Sequence, residues 1–282
     1  MSEKNPSCAS CKERGTCSSS RPEEKKGPVQ FTFAPREEIK NVFAVMSGKG
    51  GVGKSTVTAM LASAMAKKGY KVGVLDGDIT GPSIPRLFGL KGGRVTVGEK
   101  GMIPQETELG IKVMSLNLFF EREDEAVVWR GPLLASTIKQ FWEEVEWGEL
   151  DYLFVDLPPG TGDVPLTVLQ NLPLKGLIIV FSPQDLAIMI VKKAIRMSKM
   201  LNAPIVGLVE NMAYMKCPKC GEILYPYGKP QGERVSEETG IPLLGSLPID
   251  PYITSFGDQG KIEMLKADEF TEIASYLEKL ES

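Results

Sequence analysis

Gly48-Lys49-Gly50-Gly51-Val52-Gly53-Lys54-Ser55 fits the pattern G-x-x-x-x-G-K-[ST] in full. The apolar run Asn41–Ser47 precedes it and reads as a buried strand. Ser55–Lys68 follows and reads as a helix, ended by Gly69 just past its last turn. A glycine-rich turn between a strand and a helix lets backbone N–H groups wrap a phosphate, and the helix N-terminus adds positive potential. Lys54 is placed to reach the outer phosphates, and Ser55 to ligate Mg²⁺. Candidate nucleotide contacts are therefore Gly48, Lys49, Gly50, Gly51, Val52, Gly53, Lys54, Ser55 and the adjoining Thr56.

Outward from this loop, apolar runs alternate with amphipathic stretches. Lys71–Asp76, Ile111–Leu116, Tyr152–Asp156, Leu177–Phe181 and Ile205–Glu210 read as strands. Leu133–Val145, Gln184–Leu201 and Asp268–Leu280 read as helices, and Arg94–Pro104 as a hairpin around Gly98-Glu99-Lys100-Gly101. Such alternation predicts a single α/β domain over 38–282, with a mostly parallel sheet covered by helices on both faces. Residues 1–37 lack apolar periodicity and read as a flexible cysteine-containing tail.

Two of the strands end in aspartate. One closes on Asp76-Gly77-Asp78, the other on Asp156, followed by Leu157-Pro158-Pro159-Gly160-Thr161-Gly162-Asp163. Open α/β sheets bind ligands at the carboxyl ends of their strands. Phosphoryl transfer needs a positioned water and charge neutralisation rather than a covalent residue. Asp156 is expected near Mg²⁺ through water, Asp78 to position the attacking water, and backbone N–H groups at Gly160–Gly162 to sense the outermost phosphate. Ser182-Pro183-Gln184-Asp185 has a sufficient structural reading, with Ser as cap, Pro at the first helical position and an acid at the third.

The whole chain has 282 residues, with 33 Lys and Arg against 36 Asp and Glu, a formal net charge of −3. A general polyanion binder would be basic. Histidine is absent, which removes every histidine base and every histidine metal ligand. The N-terminus has no apolar signal-like stretch, and runs such as Leu177–Phe181 are far short of a membrane span. The expectation is a reduced cytoplasmic protein with neither nucleic acid nor membrane as partner.

The cysteines are Cys8, Cys11, Cys17, Cys217 and Cys220. A disulfide scaffold would spread an even number through the body; grouped cysteines point to metal or redox chemistry. Cys217-Pro218-Lys219-Cys220 offers two thiolates, which cannot fill a four-coordinate site. The same pair on a second copy, the tail pair Cys8 and Cys11, or a dithiol redox couple would each complete the chemistry.

Lys49, a second lysine inside the loop, gives the deviant form of the motif and resembles the dimeric ATPases that include MinD, ParA and the nitrogenase iron protein. That resemblance implies that Lys49 reaches the nucleotide of a partner subunit. The chain further resembles the Mrp/ApbC family of iron–sulfur cluster carriers. The shared segments are Gly48–Ser55, Asp76–Ser83, Trp129-Arg130-Gly131-Pro132, Asp156–Asp163, Ser182-Pro183-Gln184, Glu210-Asn211-Met212 and Cys217–Cys220. The family implies ATP binding and slow hydrolysis, a homodimer with a 4Fe–4S cluster bridged by Cys217 and Cys220 of both subunits, and transfer of that cluster to apoproteins. It also implies that Asn211 contacts the adenine. Cys8, Cys11 and Cys17 are similar to the end of a ferredoxin-like motif in the cytosolic scaffold branch, whose earlier fourth cysteine this sequence lacks. A second cluster there is the corresponding expectation. The alternatives are a spatial organiser like MinD or ParA, and an ATP-driven electron donor. Against the organiser, the terminal segment Lys266–Ser282 is acidic rather than basic.

Overall fold

The computed structural model describes residues 33–280, apart from 79–80, 82, 94, 121–130 and 161. Cys8, Cys11, Cys17 and the Trp129-Arg130 pair lie outside the described residues. The elements run β1 (Ile39–Ser47), α1 (Lys54–Lys67), β2 (Val72–Asp76), α2 (Ile84–Leu87), β3 (Thr96–Val97), β4 (Met102–Ile103), β5 (Gln105–Glu106), β6 (Lys112–Ser115) and α3 (Gly131–Glu143). They continue with β7 (Leu150–Asp156), α4 (Asp163–Asn171), β8 (Gly176–Phe181), α5 (Asp185–Met200) and β9 (Ile205–Lys216). The chain closes with β10 (Ile223–Leu224), α6 (Gly232–Thr239), β11 (Leu243–Pro248), α7 (Pro251–Asp258) and α8 (Asp268–Lys279).

The strands β9-β8-β1-β7-β2-β6 lie side by side and are parallel throughout. β5 adds an antiparallel edge to β6, while β9 takes β11 in parallel and β10 in antiparallel fashion. β2 and β8 are buried at every position, as continuous apolar strands must be when both sheet faces are covered. One face packs Val57, Leu61 and Met65 of α1 with Phe270, Ile273 and Leu277 of α8. The other packs Ile138 and Trp142 of α3, Val168 of α4, and Val191 and Ile195 of α5.

The hairpin expected around Gly98–Gly101 is present as β3 pairing antiparallel with β4. The packed body reaches back beyond Glu38. Phe33 is buried in the core, and the Ala34 carbonyl accepts from Trp142 Nε1 at 2.7 Å. The Arg36 guanidinium donates to the carbonyls of Trp142, Glu143 and Val145, capping the C-terminal end of α3 with positive charge. One local expectation is corrected. α5 starts at Asp185 with Gln184 as its N-cap and no side-chain cap bond, so Ser182 does not cap it and Pro183 precedes the helix.

Candidate nucleotide and thiolate sites

β1 sits between β7 and β8, and β7 sits between β1 and β2. The carboxyl ends of three adjacent parallel strands therefore meet under one loop. Across that row Val45 is in register with Asp156, Asp156 with Asp76, and Asp76 with Ser115. The register alone makes neighbours of two carboxylates that lie far apart in sequence.

The loop enters α1 through Gly53, whose φ of 78° is left-handed. A Cβ there would collide with Asn211 Nδ2, so a side chain at this left-handed position would both strain the backbone and displace the Asn211 amide. Lys54 is buried, and its Nζ lies 2.7 Å from Asp156 Oδ2 and 3.8 Å from Asp78 Oδ2. Ser55 Oγ donates to Asp156 Oδ2 at 2.6 Å, and Thr58 Oγ1 donates to Asp156 Oδ1 at 2.8 Å. Asp156 thus holds the loop's lysine and serine together. Thr56 instead faces a cavity of about 300 Å³, bordered by Ser83, Arg86, Ile253 and Thr254.

Thr58 was not singled out from the sequence, although its signal was there: it lies one helical turn beyond Lys54 on the same face. In the sequence Asp76 stands only as the first acid of Asp76-Gly77-Asp78. It is fully buried, accepts from Ser115 Oγ at 3.0 Å, and accepts the Asp78 N–H at 3.1 Å. Burial first, and then the charge of Asp156, push its carboxyl up to about 8 from an ordinary 3.8, against the pull of Lys54. A carboxyl raised on folding stabilises the protein fully below its unfolded value and loses that contribution as pH climbs to its folded one. With no histidine in the chain, few other groups titrate between about pH 5 and 8. The melting temperature of the nucleotide-free protein should therefore fall across that window. Asp76→Asn should flatten the slope; equal slopes in the two proteins would contradict the assignment.

Lys49 Nζ donates to Gln184 Oε1, a contact spanning 135 positions that no local pattern announces. Gln184 therefore touches the loop, where the sequence had suggested a purely structural segment. The Gly160 N–H is committed to the Ser47 carbonyl at 2.8 Å, which corrects the expectation that it points at a phosphate. Thr161 lies outside the described residues. Asn211 is buried, and its Nδ2 donates to the Val52 carbonyl at 2.9 Å.

β9 runs on past Asn211 to Lys216, six residues further than its apolar run suggested. It ends in the hairpin that carries the cysteines. The Cys217 N–H donates to the Glu222 carbonyl, and the Gly221 N–H, at a φ of 78°, donates back to the Cys217 carbonyl. Cys217 is half-buried and Cys220 exposed. The backbone N–H of Cys220, then that of Lys219, then the Cys220 thiol hold the Cys217 thiol below its ordinary value, which favours the thiolate that binds soft metals. Among the described residues, no group of three or more Cys, Asp or Glu side chains is placed to hold a metal ion.

A family model described as "NUBPL iron-transfer P-loop NTPase" matches residues 38–282. The chain belongs to this family. Among its iron-transfer P-loop NTPase relatives, an iron–sulfur cluster carrier protein of Clostridium perfringens is 47% identical over 274 residues, covering 93% of this chain and 95% of the relative. One of the same name from Methanocaldococcus jannaschii is 41% identical over 290 residues, covering 100% and 99%. A nucleotide-binding protein of Archaeoglobus fulgidus, solved in complex with ADP, superposes with a TM-score of 0.74 at 46% identity, covering 83% of this chain and 91% of that one. The P-loop NTPase fold and its mostly parallel sheet follow as the motif predicted. Among the described residues, no helix is long and apolar enough to cross a membrane.

Proposed function

We propose that this P-loop NTPase is an ATP-dependent iron–sulfur cluster carrier. It binds and hydrolyses ATP at Gly48–Thr56, holds a 4Fe–4S cluster as cargo between Cys217 and Cys220 of two copies, and passes it to apo iron–sulfur proteins in the cytoplasm. The observation that carries this reading is the exposed tip of the Cys217–Cys220 hairpin, with two thiols and no third candidate ligand grouped with them among the described residues. A four-thiolate site then closes by two-fold symmetry. The names of the Clostridium and Methanocaldococcus relatives support the cargo, and the ADP of the Archaeoglobus protein supports the nucleotide. The body over 38–282 is read as the ATPase and carrier. Phe33, Ala34 and Arg36 pack on that body, and the segment before them is read as a separate tail whose Cys8, Cys11 and Cys17 hold a second metal group.

At the nucleotide site, phosphates compete with Asp156 for the Lys54 ammonium and the Ser55 hydroxyl. The hydroxyl and carboxylate oxygens of Ser55 and Asp156 are hard donors that suit Mg²⁺. Mg²⁺, when bound, neutralises charge on the phosphates. Asp78, within reach of Lys54, positions the attacking water. Asn211 contacts the base, and Lys49 serves the nucleotide of the second copy.

Anaerobic reconstitution with ferrous iron and sulfide tests the cargo. About four irons per dimer and activation of an apo-acceptor are expected. One zinc per monomer, with no transferable iron, would refute the carrier reading.

The role of Lys49 across the dimer has its own test. Mixed dimers of Lys49→Ala and Lys54→Ala chains contain one site with both lysines and one with neither. Turnover above both parents is expected, whereas a mixture no better than its parents would place Lys49 in its own subunit's site.

A further inference from the structure

β9 is one strand with two ends of different character. Up to Glu210 it is locked between β8 and β11, with Phe181 in register with Glu210 on one side and Ser246 on the other. The buried Glu210 carboxylate tightens this anchor by accepting from the Gln231 and Gly232 N–H groups and from Ser246 Oγ. Pairing with β11 resumes only at Tyr214, opposite Pro248. Four steps along β9 thus answer two along β11, which makes Asn211–Ala213 a bulge. Met212 sits there at a φ of 58°, a left-handed conformation that is an outlier for a bulky side chain in a strand. Beyond the bulge, the strand leads through Lys216 to the Cys217–Cys220 hairpin.

The bulge is pressed against the nucleotide loop. Asn211 Nδ2 donates to the Val52 carbonyl, and Met212 Cε lies 3.6 Å from where a Cβ on Gly53 would stand. We infer that the Asn211–Met212 bulge is the pivot through which nucleotide at the loop repositions the cysteine hairpin. The inference rests on the reading of Gly48–Thr56 as the nucleotide site and of Cys217 and Cys220 as the thiolate site. Its physical content is local. A base that takes the Asn211 amide removes it from Val52, and the neighbouring Met212 backbone, held in a sparsely populated well, has an extended alternative. Glu210 fixes everything upstream, so the displacement is delivered downstream toward the thiols.

The test uses full-length, iron-free protein, so its result does not depend on cluster binding. Alkylation rates of Cys217 and Cys220 are read by peptide mass spectrometry without nucleotide and at saturating Mg-ADP, under conditions where sedimentation shows no change of assembly. ADP should change the wild-type rates by about fivefold or more, the low end of ordinary coupling between sites. Met212→Gly, which frees the backbone, should bring the ratio near one at saturating ADP. Met212→Asn, which tolerates the left-handed conformation, should keep it. Hydrogen exchange on the unmodified protein gives a second reading should a variant misfold: ADP should alter amides 213–222 and spare 205–210. A wild-type ratio of one, an undiminished ratio in Met212→Gly, or exchange that changes equally on both sides of the bulge would overturn the pivot. A protein that shows the ADP response yet fails to take up iron would refute the carrier reading and leave the pivot standing.

Discussion

Lys54→Ala is expected to abolish ATP hydrolysis, to remove most ATP affinity, and to cost the nucleotide-free protein stability as well. The first two effects follow from the loop, where Lys54 is the only buried cation near the strand ends that hold Asp76, Asp78 and Asp156 among the described residues. The third follows from the structure. The fully buried Asp156 would keep its hydroxyl donors from Ser55 and Thr58 but lose its counter-ion at 2.7 Å. Removing one partner of a buried ion pair costs about 3–5 kcal/mol, or roughly 10 °C in melting temperature for a chain of this size. Asp78→Asn should behave differently, keeping ATP binding while slowing hydrolysis by about a hundredfold, because a water-positioning group acts late. Isothermal titration, phosphate release and thermal melts of the two variants separate these effects. Unchanged turnover in Lys54→Ala would remove the nucleotide assignment of the loop.

Cys217→Ser and Cys220→Ser should each abolish reconstitution of the transferable cluster. Replacing Cys8, Cys11 and Cys17 together by Ser should leave it intact at about four irons per dimer. The asymmetry follows from the ligand count. The hairpin carries a half-buried Cys217 and an exposed Cys220 near its exposed tip, where a second copy can approach, and the Cys217 thiol is already biased toward thiolate by backbone N–H groups. Neither serine variant should disturb the fold, since the hairpin is held by the Cys217–Glu222 and Gly221–Cys217 backbone bonds rather than by its sulfurs. Iron and sulfide analysis of the purified variants, followed by transfer to an apo-acceptor, reads the outcome. Loss of the hairpin-bound metal in the triple tail variant would replace the symmetric bridge with a site shared between tail and body.

Much of the molecule is legible in the sequence alone. The glycine loop between an apolar run and a helix, the acid-terminated strands and the alternation of elements led to a parallel α/β sheet because each is a local pattern with a local cause. The short pieces α2, α6 and β10 were not legible, since four to eight residues or fewer carry too little periodicity to stand out. The far half of β9 was missed because its partly exposed residues dilute the apolar run, so the sequence placed the cysteine loop just beyond a strand ending near Glu210 rather than on a continuation of it. Asp76 stood in plain view, yet its raised pKa belongs to the tertiary structure. Only the register of β2 with β7 sets it beside Asp156 in the buried interior. Gln184 at Lys49 and Arg36 at the end of α3 are contacts across more than a hundred positions. The sequence thus determined which groups this protein has and the scaffold that carries them. The tertiary structure decided which of those groups share a charge, a proton or a strain, because such coupling depends on distance and burial rather than on order along the chain.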